Sequence, residues 1–417
     1  MLVLAIVIVT LGLMLTRPRG IAEGYSALLG AVAMVGTGRI GFATILGLVQ
    51  DTGDVLLFLA GMMLLTGIVE RAGVFDLLAD RCARLARGNG ILLFVNLYLL
   101  EALVTTTLSL DVTILMLTPI IHALTIRRRI DALPFMFACV FVANTVSLAL
   151  PVSNLTNLLV FERLDLSFGP FLRIMWWPNL VALVATLLIF LWLFRDRIPR
   201  RFTELDMPAS QQMVNTNGWL KVNGTVLSLT LLGLFLLGLT DHPLWWASVA
   251  GAAALVMCET ATSRLNPRQT LTDLSPSLFL IVVSMAIVVT GFEHAWIDGR
   301  AIPVPESLSG SLLQSIGTGA LGSNVVNNVP MTLVSLSVID RAPMAMQHAL
   351  AYGTLIGVNI GSALTTYGSL ATILWLTLIR RRGIGISTAE YMRVSLVTIP
   401  PVLLLTGLTL YIVLRAA

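Results

Sequence analysis

Apolar runs of about 20 residues recur from one end of this 417-residue chain to the other, and no polar stretch long enough to form a separate domain interrupts them. A run of that length, wound as a helix, spans the hydrocarbon core of a bilayer. Only 12% of residues are charged, 57% are hydrophobic and the mean hydropathy is +0.90, whereas soluble domains carry roughly 25% charge. The expected fold class is therefore an all-α polytopic membrane protein in which the bundle is the whole molecule. Residues 1–16 carry no basic residue ahead of the apolar run and no small-residue cleavage site after it, so they read as a first transmembrane helix with its amino end outside.

Twelve candidate spans follow: 1–16, 23–37, 54–70, 90–126, 132–162, 169–194, 222–240, 244–262, 275–292, 307–340, 348–379 and 395–413. Two of them, 90–126 and 307–340, are too long for one crossing and have polar middles. If each is a re-entrant helical hairpin, the arginines at 17–19, 71–87, 127–129, 195–201, 264–268 and 380–393, with Lys221, fall on one face, which holds 20 of the 26 basic residues. The positive-inside rule makes that face cytoplasmic and accounts for the pI near 9.2 without invoking nucleic acid. The result is about ten transmembrane helices plus two hairpins, with 132–162 and 348–379 as broken helices. Residues 1–194 form a first repeat, 195–221 a cytoplasmic linker, and 222–417 a second repeat of inverted topology, with both termini outside. Many secondary transporters share this architecture.

Polar residues gather at four matching places, 105–113, 144–157, 322–332 and 359–372. Each is a hairpin tip or the middle of a broken helix. Irregular backbone at membrane depth must be buried in protein or line a wet cavity, so these breaks are expected to share one polar cavity near the midplane. Thr107, Ser109 and Thr113 represent the first tip, and Ser153, Asn154, Thr156 and Asn157 the first break. Their counterparts are Ser323, Asn324, Asn327 and Asn328 at the second tip, with Thr365, Thr366, Ser369 and Thr372 at the second break. Nearly all are neutral donors and acceptors, suited to a small hydroxylated or oxyanionic solute. Such residues also join neighbouring helices, at about 0.6 kcal/mol per hydrogen bond; recurrence at matching points of two halves favours a site.

Asp111 lies at the first tip and is expected opposite Asn328, which makes it a candidate proton carrier. An intramembrane ionisable residue is a functional candidate because it costs about 2.5–3.5 kcal/mol to place in lipid. Glu101, ten residues upstream, is the second candidate. The only lysine, Lys221, follows no glycine-rich phosphate loop, so any ATP-driven step would need another subunit. No Ser and His pair, aspartate pair or HExxH marks an intramembrane enzyme, and Cys82, Cys139 and Cys258 lack metal-ligand spacing. No metal or cofactor is indicated.

"LTPI" at 117–120, "VSNLTNLL" at 152–159, "NNVPMTLV" at 327–334 and "GSLATILWL" at 368–376 resemble the arsenite-efflux permeases (ArsB, the arsenical pump membrane proteins) of the ion transporter superfamily. The similarity runs through nearly the whole chain. It implies a scaffold and a mobile transport region, export of neutral trivalent arsenic or antimony hydroxides in exchange for protons across a bacterial inner membrane, and in some members a soluble ATPase subunit. By position, the resemblance assigns the tip acid to Asp111 and the polar breaks to Ser153, Asn154, Asn157, Asn327, Asn328, Pro330, Gly368, Ser369 and Thr372. The chain departs from the family pattern at Leu110, where an asparagine is usual, at Asn144, where an aspartate is usual, and at 362–367. A sodium/proton antiporter or a carrier of a small oxyanion or carboxylate is the alternative within the superfamily.

Overall fold

The computed structural model describes residues 1–18, 21–202, 217–297 and 303–416. Most of the expected linker, 203–216, lies outside the described residues. Among those described, the backbone is helical apart from connections and one isolated β-bridge between Asn89 and Arg201. Seven helices are long and apolar enough to cross a bilayer unaided: Gly53–Arg71, Gly90–Thr107, Leu110–Arg127, Phe168–Leu193, Gly218–Leu239, Pro267–Trp296 and Thr388–Ala416. Further apolar helices, Leu2–Thr16, Glu23–Gly36 and Trp245–Ala261 among them, complete the bundle.

Three short helices were not anticipated: Phe42–Asp51, Val74–Leu85 and Pro267–Asp273. Val74–Leu85 is amphipathic. It buries Val74, Phe75, Ala79 and Ala83 and turns Asp80, Arg81 and Arg84 elsewhere, so its apolar residues are too few to register as a span.

The first three spans of each half pack reciprocally. The second helix of the first half, Glu23–Gly36, lies against the third of the second half, Pro276–Phe292; Trp245–Ala261 lies in the same way against Gly53–Arg71. Within lipid, apolar contact drives association weakly and close backbone approach matters more. Gly30 faces Thr10, whose Oγ1 would sit 2.1 Å from any added Cβ, and Gly251 faces Thr230 at the same 2.1 Å. The halves thus repeat the same close contact between their first and second helices.

The two long polar spans are re-entrant. Helices Gly90–Thr107 and Leu110–Arg127 meet at a two-residue tip, Leu108 and Ser109. Both open ends reach the same segment: the Gly90 amide donates to Arg200 O at 3.3 Å, and the Arg128 guanidinium lies 5.3 Å from the Phe202 ring centroid. The second hairpin, Leu308–Val326 and Asn328–Ile339, turns at Asn327, whose φ of 77° and ψ of 157° form a strained conformation that glycine adopts far more readily. Arginine-bearing connections touch one another on one face, as in the Arg71 ion pairs with Asp273 and Glu259 and the Arg264 stack on Trp219. Arg163, Asp340 and Asp51 associate elsewhere, at the far end of the second hairpin.

The broken helices are Leu133–Thr145 with Leu155–Arg163, and Met344–Ile360 with Leu370–Arg381. Each is interrupted by a single 3-10 turn and extended residues. Phe137 and Phe141 of the first broken helix pack on Trp375 and Tyr391, with ring centroids 5.7 and 5.6 Å apart, while Tyr352 of the second packs on Phe171 at 5.8 Å. The last helix of each half, Phe168–Leu193 and Thr388–Ala416, flanks this unit and shows lipid residues such as Leu188, Trp192, Leu404 and Leu408.

Candidate functional site

The two helix breaks meet through their amides. Asn359, on the first arm of the second broken helix, is fully buried. Its Oδ1 accepts from Asn154 Nδ2 (2.9 Å) and Thr156 Oγ1 (2.5 Å), and its Nδ2 donates to Asn157 Oδ1 (2.7 Å). The matching residue of the first half, Asn144, donates in the opposite direction, to Thr372 Oγ1 at 3.4 Å. Each first-arm asparagine thus reaches the second arm of the other half. Ser147 and Ser362 also match: each hydroxyl donates to the carbonyl three residues back, of Asn144 and Asn359.

The breaks are fastened to the tips as well. Ser153 Oγ donates to Thr106 O at 2.7 Å, and Thr106 Oγ1 to Val146 O at 3.1 Å. In the second half, Asn324 Nδ2 donates to Gly361 O (2.7 Å) and its Oδ1 accepts from the Thr365 amide (2.9 Å) and hydroxyl (2.8 Å). Gly368 makes this possible, because a Cβ there would stand 2.2 Å from Ser362 O and 2.6 Å from Asn324 Oδ1. Asn327 Nδ2 donates to Tyr367 O. Unpaired backbone in lipid costs several kcal/mol per group, and these side chains meet that requirement at the breaks.

Many of the expected binding residues are therefore committed to the protein itself. Thr107 bonds back to Leu103 O, Ser109 caps the Val112 amide, Thr113 pairs with Thr105 and Asn328 Oδ1 accepts from the Val329 amide. Among the described residues, the buried hydroxyls of Thr366 and Ser369 have no hydrogen-bond partner.

Asp111 is also without a hydrogen-bond partner among the described residues. It sits in the first turn after the tip, where the amino end of Leu110–Arg127 favours a negative charge. A π-helical turn, Thr113–Leu117, follows at once. Pro119 is its physical cause: proline has no N–H to return to Leu115 O, and the Thr118 amide bonds Thr113 O instead. Asp111 lines a cavity of about 50 Å³ with Ser109, Asn154, Phe58, Met62 and Thr66, and a second carboxylate there, Asp273, is paired with Arg71.

Two expectations are corrected here. Asp111 does not face Asn328 across one shared cavity. Each tip packs instead against the third helix of its own half, and the second tip, through Asn327, lines a separate cavity of about 20 Å³ with Ile281, Leu370, Ile373 and Glu23. The reason is that the polar groups of the breaks bond to one another and fill the space between the halves. The cavities themselves match, since Leu155 and Leu158 of the first correspond to Leu370 and Ile373 of the second.

Glu101 is sealed from solvent behind the first tip, with Cys139 Sγ donating to Oε1 at 3.1 Å and Oε2 unpartnered. Sequence reasoning passed over Asn144 and Asn359 as site residues, although their identity at matching positions was visible. It also passed over Asn179, whose Oδ1 accepts from the Leu148 amide at 2.9 Å; the Pro178–Asn179 pair inside an apolar span was its signal.

The family model described as "Arsenical pump membrane protein" matches residues 2–414. An arsenical pump membrane protein of Escherichia coli is 29% identical over 412 residues, covering 96% of each chain. A putative arsenical pump membrane protein of Bacillus subtilis is 25% identical, covering 97% of each. In fold, the chain is similar to the crystal structure of the Alcanivorax borkumensis YdaH transporter, described as having an unusual topology, with a TM-score of 0.59 at 15% identity over 90% of this chain and 88% of that one. The polytopic helical bundle and the family match along its length lead to one conclusion: the chain belongs to the arsenical pump membrane protein (ArsB) family.

Proposed function

We propose that the chain is a secondary transporter of a bacterial inner membrane that exports arsenite and antimonite, as neutral trivalent hydroxides, in exchange for protons. The observation that carries the solute is the family relationship, which runs from residue 2 to residue 414. Asp111 supports the coupling: it is a carboxylate in a tip cavity, free of ion pairs among the described residues, beside the neutral amide Asn154. A proton bound there when the hydroxide is absent, and released when it binds, links the two flows. Glu101, enclosed with Cys139, serves as a structural acid in this reading or as a second station.

The hydroxyls of Thr366 and Ser369, having no partner, are the groups most able to receive the solute's hydroxyl groups. Hairpins and broken helices move as a unit against the scaffold. The arginine-rich face is cytoplasmic, both termini are outside, and residues 1–194 and 222–417 are the inverted repeats. Arsenic(III) prefers soft thiolates, but a transporter must also release its cargo, and the cysteines stand in separate helices. Energisation by ATP, where it occurs, belongs to a separate soluble subunit.

The test is arsenite accumulation in everted vesicles, with and without an imposed proton gradient. Gradient-dependent uptake abolished by an uncoupler supports the proposal. Uptake that follows a sodium gradient instead, or none above empty vesicles, rejects it in favour of another solute or ion.

A further inference from the structure

A second concavity, of about 680 Å³, opens at the arginine-rich face and takes no part in the transport site. Five arginines line it, Arg127, Arg128 and Arg129 from the end of the first hairpin and Arg197 and Arg201 from the segment after helix Phe168–Leu193, with Asp131 as its one carboxylate. Charge selection for orientation explains arginines in loops, yet it does not require two distant loops to face one hollow.

The two segments are held together by backbone. The Phe202 amide donates to Gly88 O at 2.8 Å and the Gly90 amide to Arg200 O at 3.3 Å. Gly90 has no side chain because a Cβ would lie 1.8 Å from Pro199 O. Arg128 stacks on buried Phe202, and Arg197 lies 3.6 Å from Asp131. The backbone of the hollow is thus prebuilt, with the Arg128 and Arg197 guanidinium groups positioned before any ligand arrives.

Its place in the fold indicates the ligand. Arg127 ends the hairpin leg directly after lipid-exposed Ile126, and the Arg195–Arg201 segment begins shortly after lipid-exposed Trp192. Tryptophan at such a level marks the membrane interface. Apolar side chains on the lipid side and forked donors above them match the two ends of a phospholipid.

We infer that this hollow binds the phosphate of an anionic membrane lipid, fixing the base of the first hairpin to the segment that joins the two halves. Guanidinium groups suit that role because they bind phosphate oxygens in pairs. Basic pockets at helix ends are known to hold anionic headgroups. The inference is independent of the transported solute.

The experiment titrates purified protein in detergent with phosphatidylglycerol, phosphatidylcholine or inorganic phosphate and reads bound lipid by native mass spectrometry. Phosphatidylglycerol is expected to bind at least tenfold more tightly than phosphatidylcholine and to resist displacement by millimolar phosphate. Arg127→Ala with Arg201→Ala is expected to weaken it roughly fivefold for each arginine removed. Arg127→Lys with Arg201→Lys keeps the charge and the fold and is expected to retain preference over phosphatidylcholine, with weaker binding than wild type. Arg380→Ala with Arg381→Ala, on the same face outside the hollow, is expected to change nothing. Equal loss in that control would reduce the effect to a diffuse surface field and overturn the inference. Ready displacement by inorganic phosphate would overturn the lipid as occupant. Neither result bears on arsenite uptake, which is read separately.

Discussion

Asn359→Ala tests whether the amide lattice between the helix breaks holds the transport region together. Three hydrogen bonds disappear. Asn154 Nδ2 keeps a second acceptor, Ser147 Oγ at 3.4 Å, but the Thr156 hydroxyl and Asn157 Oδ1 lose the partners described for them. At the membrane-protein average of about 0.6 kcal/mol per bond the loss is about 2 kcal/mol. Counted instead as two buried atoms left unsatisfied at about 1–3 kcal/mol each, it reaches about 6 kcal/mol. The expected destabilisation is therefore about 2–6 kcal/mol, measured by SDS-induced unfolding in mixed micelles against wild type. Thr377→Ala is the control, because its exposed hydroxyl only bonds back to Ile373 O at 2.9 Å, and it should stay within about 0.5 kcal/mol. A double-mutant cycle with Thr156→Ala should show non-additivity of about 0.5 kcal/mol or more. A loss below about 0.5 kcal/mol, or strict additivity, would refute the claim that this lattice binds the halves.

Asp111→Asn should insert and fold normally yet lose proton-driven arsenite uptake; pH-dependent transport by that variant would move the carrier role to Glu101. Gly30→Ala should destabilise by about 1–3 kcal/mol through overpacking, and adding Thr10→Ala should restore most of the loss in the same unfolding assay, because it removes the Thr10 Oγ1 and Cγ2 that would stand 2.1 and 2.5 Å from the new Cβ. Replacing Cys82, Cys139 and Cys258 with serine should leave arsenite uptake within a few-fold of wild type, and its abolition would show that thiolates carry the cargo. Ser369→Ala should lower uptake while leaving unfolding unchanged, since its hydroxyl holds nothing in the structure; reduced stability with normal uptake would remove it from the site.

Much of the architecture was legible because lipid permits few solutions. A long apolar run with a polar middle has to turn back or break, and 90–126 and 307–340 turn back while 132–162 and 348–379 break. The polar positions at the breaks were readable for the same reason, since backbone that leaves a helix at membrane depth needs nearby donors and acceptors. What could not be read was which of those donors were already used. Thr107, Ser109, Thr113 and Asn324 look alike in sequence to Thr366 and Ser369, and only their hydrogen bonds separate the first group from the second.

The sequence by itself determined the class of the protein, its spans, its hairpins and its family, because each of these depends on local apolarity or on motifs a few residues long. Tertiary structure alone decided that Asp111 of the first tip and Asn327 of the second line separate cavities, that Asn359 joins the two breaks, and that arginines some 70 residues apart share one hollow. Those outcomes depend on which buried polar atoms reach one another within about 3 Å, a distance set by the packing of both halves at once.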